Sequence, residues 1–232
     1  MFRQIRLLVF DLDYLVFDCS FLKAHALRQS LIAFADDIPQ NVRLPDGVDI
    51  ESAFREHGRR WVRSLELGIA DENMEDLEQI YRVQECRLLE SGMGRTFPGM
   101  IDTIVACRKA GIHSGLGAEA SRDYLMAVSD RLELDRFFDF SLCTGEYGLG
   151  SAREMLADML DQAEVNPSEV LVFGTRPSMF EASHSLDLLT LGCGWGLQQK
   201  DALETADFLA GNVTQIIPVI RRADDIAAEY AG

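Results

Sequence analysis

The sequence predicts an α/β fold in which helices flank a parallel sheet and an all-helical subdomain is inserted after the first strand. Short, continuously apolar runs end in polar residues, which is typical of buried parallel strands. Helical patterns alternate with these runs, and such alternation indicates a parallel sheet with helices on both faces. Residues 19–92 interrupt the alternation and contain helical patterns alone.

Four apolar runs are predicted to be strands of the sheet. They are residues 7–10, 138–143, 170–173 and 188–191. The segments between them carry apolar residues three or four positions apart, which predicts helices. These helices cover residues 100–110, 121–132 and 152–164. Because ligands bind at the carboxyl ends of parallel strands, we expect the functional residues at that edge.

The interruption predicts a second domain. Its helical patterns cover residues 21–35, 50–67 and 75–89. The glycine-rich segment 91–99 would then be the linker that returns the chain to the sheet. This interpretation divides the chain into a core of residues 1–18 and 93–232 and an inserted helical domain of residues 19–92.

Composition and charge exclude several classes of protein. The 232 residues are 47% hydrophobic with a formal net charge of −16, so the chain can bury a large core. Nucleic acids and anionic membranes are bound through basic surfaces, and neither is expected as a partner. The five cysteines form no CxxC pair, and no apolar stretch is long enough to span a membrane. A cytoplasmic location is therefore predicted.

The tripeptide Asp11-Leu12-Asp13 follows the first predicted strand and suggests phosphoryl chemistry. Two acids at positions i and i+2 beyond a strand can face the same edge of the sheet. One carboxylate could attack a phosphoryl group while the other gives a proton to the leaving oxygen. Mg²⁺ would normally neutralise the crowded oxygens. On the pattern alone, two acids in a solvated loop are an equally good interpretation.

The segment Val9-Phe-Asp-Leu-Asp-Tyr-Leu-Val-Phe-Asp18 resembles the opening motif of the haloacid dehalogenase (HAD) superfamily, hhFDxDGTLxD. Further similar segments follow in the family's order over nearly the whole chain. They are residues 96–100, 121–140, 165–174, 192–196 and 201–206. The resemblance implies a Rossmann-like HAD core with a parallel sheet and an inserted helical cap. It is nearest to the branch of phosphoglycolate phosphatase and β-phosphoglucomutase.

The resemblance implies roles for the two acids. Asp11 takes the position of the nucleophile that becomes an aspartyl phosphate, and Asp13 takes that of the general acid/base. Both would also be ligands of Mg²⁺, the ion that the family uses, if it is bound here. The expected partner is a small phosphorylated metabolite or a protein.

The remaining catalytic positions depart from the family's motifs. The second motif has Ser or Thr, the third has Lys, and the fourth has two acids, the first of which binds metal. The residues at these positions are Ala118 for the second motif, Gly150 (or Ser151 with one gap) for the third, and Thr175 and Met179 for the fourth.

These departures predict weak or absent phosphatase activity and poor Mg²⁺ binding. Losing one positioned donor costs on the order of 10²–10³ in rate, and Thr175 supplies only a hydroxyl where Mg²⁺ prefers charged oxygens. Without a cation, Asp11 and Asp13 repel each other, which predicts a raised pKa for one of them. Arg176 could bind an anion here, but pairing with an acid or exposure to solvent is the favoured interpretation.

Three alternatives remain open. An active phosphomonoester hydrolase would use Asp11 and Asp13 in an atypical site. A metal-free 2-haloacid dehalogenase agrees with Thr175, although that branch retains the lysine and lacks a second acid such as Asp13. Residues 114–120 also fit the dinucleotide pattern G-x-G-x-x-A, which needs an acid at the far end of the next strand. Asp139 lies at the near end of that strand.

Overall fold

The computed structural model describes most of the chain. The described residues are 4–37, 74–147, 151–196 and 203–230. Gly150 and the predicted helix over residues 50–67 lie outside them. The chain divides into two compact units, a larger one of Met1–Asp18 with Arg95–Gly232 and a smaller one of Cys19–Gly94.

Within the described residues, eight strands form two sheets. In chain order they are β1 (Leu7–Asp11), β2 (Phe17–Asp18), β3 (Arg95–Thr96), β4 (His113–Ala118), β5 (Phe140–Cys143), β6 (Val170–Gly174), β7 (Leu189–Cys193) and β8 (Phe208–Ala210). The larger sheet has the order β5-β4-β1-β6-β7-β8, and all its strands are parallel. β2 and β3 form a separate antiparallel pair. The α/β class with a parallel sheet, predicted from the alternating pattern, is thereby confirmed.

Seven α-helices lie in the part of the chain that the structure describes. In chain order they are α1 (Ser20–Asp37), α2 (Met74–Glu90), α3 (Met100–Lys109), α4 (Arg122–Leu132), α5 (Ala152–Ala163), α6 (Pro177–His184) and α7 (Ile216–Tyr230). The starts of α4 and α5 are fixed by Ser121 and Ser151, each of which accepts a hydrogen bond from the backbone N–H three residues later. None of these helices is long and apolar enough to cross a membrane.

β1 lies at the centre of the large sheet, between β4 and β6. All five of its residues are buried, which explains its continuously apolar sequence before Asp11. Leu7 and Val9 pack in one cluster with Met155 of α5. Successive side chains of a strand point to opposite faces, and on the other face Phe10 stacks on Phe173 with ring centroids 4.4 Å apart. Packing on both faces holds the carboxyl end of β1 in place.

The strand β4 is not predicted from the sequence, because Gly115 and Gly117 have low strand propensity. A Cβ at Gly117 would lie 3.0 Å from the terminal methyl of Met155, and one at Gly115 would lie 3.2 Å from the sulfur of Met159. The two glycines therefore make room for α5. Since they lie inside a strand and not in a turn between strand and helix, the dinucleotide interpretation is wrong.

The segment 91–99, predicted to be a plain linker, contains the strand β3. Asp18 pairs with Arg95 and Phe17 with Thr96, so the chain leaves and re-enters the larger unit at adjacent points. β2, β3 and β8 have two or three residues each, which is too short for a periodic pattern to reveal.

The described part of the smaller unit consists of α1 and α2, both of which the sequence periodicity predicts. A buried ion pair joins these helices, with Nζ of Lys23 lying 3.4 Å from Oε1 of Glu85. The hydroxyl of Tyr81 donates to the same oxygen at 2.7 Å. Since buried charges require such partners, the pair restricts how α1 and α2 pack against each other.

Candidate functional site

The carboxyl edge of the large sheet gathers polar residues from three neighbouring strands. Asp11 is the last residue of β1 and lies opposite Gly117 of β4. Asp13 follows in the next loop, Glu119 comes directly after β4, and Thr175 comes directly after β6. This is the edge at which the sequence predicts the functional residues.

A tight turn after β1 holds the loop that carries Asp13. The backbone N–H of Phe17 donates to the carbonyl of Leu12 at 2.8 Å. Tyr14 has a left-handed backbone with φ of 64°, which is uncommon for a residue with a side chain. Gly196 lies so close that a Cβ there would be 1.6 Å from the Tyr14 carbonyl oxygen. The loop after β7 therefore covers this turn and leaves no space for a side chain at position 196.

Arg176 places its guanidinium group directly on Asp11. Its Nη2 lies 2.9 Å from each of the two carboxylate oxygens of Asp11, and its Nε lies 3.3 Å from Oδ2. Its Nη1 lies 3.2 Å from Oε2 of Glu119, and the other oxygen of Glu119 accepts a hydrogen bond from Ser178 at 2.7 Å. All three guanidinium nitrogens thus contact a carboxylate, and both oxygens of Asp11 are engaged.

The start of α6 keeps Arg176 beside the sheet. Arg176 occupies the N-cap position with an extended backbone, φ of −132° and ψ of 144°. Pro177 is the first helical residue, where its ring suits the helix and its missing N–H is not needed. Only two residues therefore separate the end of β6 from the start of the helix, and the arginine is held at the edge where Asp11 lies.

Asp13 is bound by a different side chain. The hydroxyl of Tyr124 donates to Oδ1 of Asp13 at 2.8 Å, and both residues are buried. Tyr124 lies in the first turn of α4, whose start Ser121 fixes. The two acids therefore have different surroundings, with a cation on Asp11 and a phenol on Asp13.

Burial raises the pKa of Asp11 from its ordinary value of 3.8 to about 7. The positive charge of Arg176 opposes this effect, whereas the negative charges of Glu119 and Asp13 add to it. The sequence predicts a raised pKa for one acid of the pair, but the main cause is burial and not the repulsion between the two acids. Burial would lower the pKa of Arg176, yet the charges of Asp11 and Glu119 outweigh it, so the guanidinium stays protonated.

The described residues at the other motif positions carry no positive charge. Ala118 ends β4 with a buried methyl group, and Met179 is buried in the apolar core. Ser151 uses its hydroxyl to accept the N–H of Glu154 at 3.2 Å. The hydroxyl of Thr175 is buried. Among the described residues, it is the one buried side-chain polar atom without a hydrogen-bond partner.

No sequence pattern predicts Glu119, Tyr124 or Ser178 as residues of the site. Glu119 carries the same signal as Asp11, an acid at the carboxyl end of a strand, but β4 is not recognisable as a strand from its sequence. Tyr124 and Ser178 lie in first turns of helices and match no motif, so their role depends on which acids the fold brings near them.

The fold and the motif residues agree with one known family. The sequence model of the haloacid dehalogenase-like hydrolases matches residues 5–177. The chain therefore belongs to the haloacid dehalogenase-like hydrolase family. No curated protein matches the chain in sequence.

Solved structures of HAD-superfamily proteins share the fold over nearly the whole chain. A haloacid dehalogenase-like hydrolase from Streptococcus pneumoniae has a TM-score of 0.74 at 17% identity, covering 93% of this chain and 98% of its own. A predicted phosphoglycolate phosphatase from Haemophilus somnus has a TM-score of 0.74 at 15% identity, covering 94% and 99%. A β-phosphoglucomutase candidate from Thermotoga maritima has a TM-score of 0.65 at 18% identity, covering 97% and 99%. This chain thus shares the fold of these proteins, a Rossmann-like HAD core, over nearly its whole length.

The family generally uses Mg²⁺, but the residues at this edge do not fit that ion. Both oxygens of Asp11 are bound by Arg176, and Oδ1 of Asp13 accepts the Tyr124 hydroxyl. Thr175 offers a neutral hydroxyl where Mg²⁺ prefers a charged oxygen. Across the described ranges, no group of three or more His, Cys, Asp or Glu side chains is arranged to hold a metal ion.

Proposed function

We propose that this chain is a HAD-fold protein with weak or no phosphatase activity, which acts by binding instead of catalysis. The observation that carries the proposal is the contact of both Asp11 oxygens with Arg176. An aspartyl nucleophile attacks phosphorus with a free carboxylate oxygen. In this chain, Asp11 would first have to release a guanidinium group.

The charges around Asp11 also oppose the binding of a phosphate ester. Asp11, Asp13 and Glu119 are three acids, and Arg176 is shared between two of them. Phosphoryl transfer depends on cations that neutralise the transferring group. Losing one positioned donor costs on the order of 10²–10³ in rate, and this chain lacks both the hydroxyl and the lysine of the family's motifs.

Of the two expected partners, the contacts of Arg176 favour a protein. A phosphorylated metabolite would require free positive charge at this edge, and Arg176 could supply it only by leaving Asp11 and Glu119. A protein partner makes no such demand. We expect the Tm in about 10 mM inorganic phosphate to equal that in NaCl of the same ionic strength, because a ligand raises Tm only when it binds the folded state.

A second candidate function is phosphomonoester hydrolysis with an atypical site. It is favoured by the position of Asp11 and Asp13 at the carboxyl edge of the sheet, where the family's nucleophile and general acid/base lie. Asp11 would attack phosphorus and Asp13 would protonate the leaving oxygen. Arg176 would have to turn from Asp11 to the phosphoryl group.

The two candidates differ in the hydrolysis of phosphate monoesters. With a panel of these esters and Mg²⁺, we expect the full chain to release no more phosphate than Asp11→Asn. Turnover that disappears in Asp11→Asn would contradict the proposal and support the second candidate. The matched control is Asp123→Asn, which changes an exposed acid in the first turn of α4. Halide release from 2-haloacids, measured in parallel, tests the dehalogenase alternative.

A further inference from the structure

We infer that Arg176 is the resident cation of this site and takes the place of a divalent metal ion, so that the chain does not bind Mg²⁺ at the carboxyl edge of its sheet. The inference goes beyond the proposed function, because it concerns the charge balance of the resting protein and holds with or without hydrolysis.

Arg176 joins acids from the ends of two neighbouring strands. Its guanidinium group is bidentate on Asp11 at the end of β1, and its Nη1 contacts Glu119 directly after β4. A planar guanidinium with paired contacts is a strong and directional partner for a carboxylate. A metal ion at this edge would likewise bind oxygens from more than one strand end. The arginine side chain therefore bridges the two acids, as a metal ion would.

Burial makes a cation at this position necessary whenever Asp11 is ionised. Asp11 is 0% exposed, and a buried carboxylate is strongly unfavourable unless an opposite charge and hydrogen bonds balance it. A divalent ion would compete with the guanidinium for the same two oxygens. Mg²⁺ requires near-octahedral oxygen ligands at about 2.0–2.1 Å, which carboxylate oxygens already bound to Arg176 do not supply.

One short loop both loses the metal-binding acid and supplies the arginine. Thr175 stands where the family has the acid, and its buried hydroxyl has no hydrogen-bond partner within the described residues. Exchanging an acid for a hydroxyl removes one negative charge, and the adjacent arginine adds one positive charge. Together these two changes equal the double charge of the divalent ion that they replace, and the loss of the second acid at Met179 is offset by the loss of the lysine. The loop thus preserves the local charge balance without a metal.

The first test is a titration of the purified full chain with Mg²⁺. Binding is measured by isothermal titration calorimetry and by the change in Tm on thermal unfolding. We expect no saturable heat up to about 10 mM MgCl₂, and a Tm equal to that in NaCl of the same ionic strength. Saturable binding with a Kd of about 1 mM or below would overturn the inference.

The second test replaces the arginine and restores the acid in the double variant T175D/R176S. We expect this variant to bind Mg²⁺ at least about tenfold more tightly than the wild type and to gain Tm when Mg²⁺ is added. The matched control is Arg136→Ser, because Arg136 is an exposed arginine that pairs with Glu133 away from the site. A folded T175D/R176S variant that binds no better than the wild type would contradict the inference.

If T175D/R176S does not fold, a double-mutant cycle at about pH 8 tests whether Arg176 neutralises Asp11. R176Q should lower the Tm strongly in the wild-type background and much less in the D11N background, where the buried charge is absent. If R176Q does not fold but D11N/R176Q does, the result also supports the inference, because Arg176 is then needed only when Asp11 is charged. Equal losses of Tm in both backgrounds would show that Arg176 does not neutralise Asp11, and would overturn the inference.

Discussion

At the scale of single residues, the site depends on how one buried carboxyl group is kept in the fold. Asp11 has no exposed surface, and Arg176 contacts both its oxygens. Burial and the neighbouring acids raise the pKa of Asp11 to about 7 in spite of this arginine. Asp11 therefore changes its charge near neutral pH. Its contribution to the free energy of unfolding should depend on pH for this reason.

The contribution of Asp11 to the free energy of unfolding is expected to fall as pH rises from about 5 to about 7. The unfolded chain releases the Asp11 proton near the ordinary pKa of 3.8, whereas the folded protein keeps it until about pH 7. The unfolded state binds fewer protons throughout this window, so rising pH favours unfolding. One pKa unit corresponds to about 1.4 kcal/mol, and the Asp11 contribution should therefore fall by about 2 to 3 kcal/mol.

Denaturant unfolding of the wild type and of Asp11→Asn at several pH values measures this contribution. Asparagine does not titrate, so the difference between the two curves isolates Asp11 while the other groups cancel. Parallel pH profiles for the two proteins would show that the pKa of Asp11 is not raised in the folded state.

Tyr124→Phe should destabilise the protein by about 1 to 2 kcal/mol, because it removes a buried hydrogen bond to a carboxylate. Urea unfolding at neutral pH measures the loss. The same change in a D13N background provides the comparison, and there the loss should be smaller, since the charged acceptor is gone. A loss below about 0.5 kcal/mol in the wild-type background would show that the Asp13 contact adds little.

At the scale of elements, α7 holds the start of the central strand. Asp224 of α7 is buried, and its Oδ1 accepts the backbone N–H groups of Gln4 at 2.7 Å and Ile5 at 2.8 Å. These residues come just before β1, which ends at Asp11. A helix near the end of the chain thus fixes the strand that positions the site.

Asp224→Ala should lower the free energy of unfolding by about 2 to 3 kcal/mol, because two buried N–H groups lose a charged acceptor. Urea unfolding gives this value. Asp225→Ala is the matched control, since Asp225 is the exposed neighbour on the same helix and should change stability by less than about 0.5 kcal/mol. Equal effects of the two variants would argue against the anchoring contact.

At the scale of the whole molecule, the excess of acids should make stability depend on salt. The chain has 38 Asp and Glu residues against 22 Lys and Arg residues, and like charges destabilise a compact state. Raising NaCl from about 10 mM to about 150 mM shortens the screening length from about 30 Å to about 8 Å. We expect the Tm to rise by a few degrees, as measured by circular dichroism.

The same salt series near the isoelectric point, about pH 4.6, is the control for net charge. The repulsion is small there, so the gain in Tm should shrink. A salt effect of the same size at both pH values would mean that general salt effects, and not screening of the net charge, cause the stabilisation.

The sequence by itself is sufficient for the fold class and for the position of the acids. Strands buried on both faces have continuously apolar sequences, which makes β1 and β6 recognisable. Asp11 and Asp13 are adjacent to β1 in the chain, so their place at the sheet edge is a local property. The residues that depart from the family's motifs, such as Thr175, are likewise identified from the sequence alone.

Only the tertiary structure decided what Arg176 contacts. Arg176 and Asp11 are 165 residues apart in the chain, and Tyr124 and Asp13 are 111 apart. Such pairs depend on strand order and register, which a local pattern does not contain. Glu119 is not predicted from the sequence for the same reason. Its neighbouring strand β4 is recognised only through its pairing with β1 and its packing against α5. The sequence therefore determines which charges the site has, and the fold determines that the arginine lies on the acids.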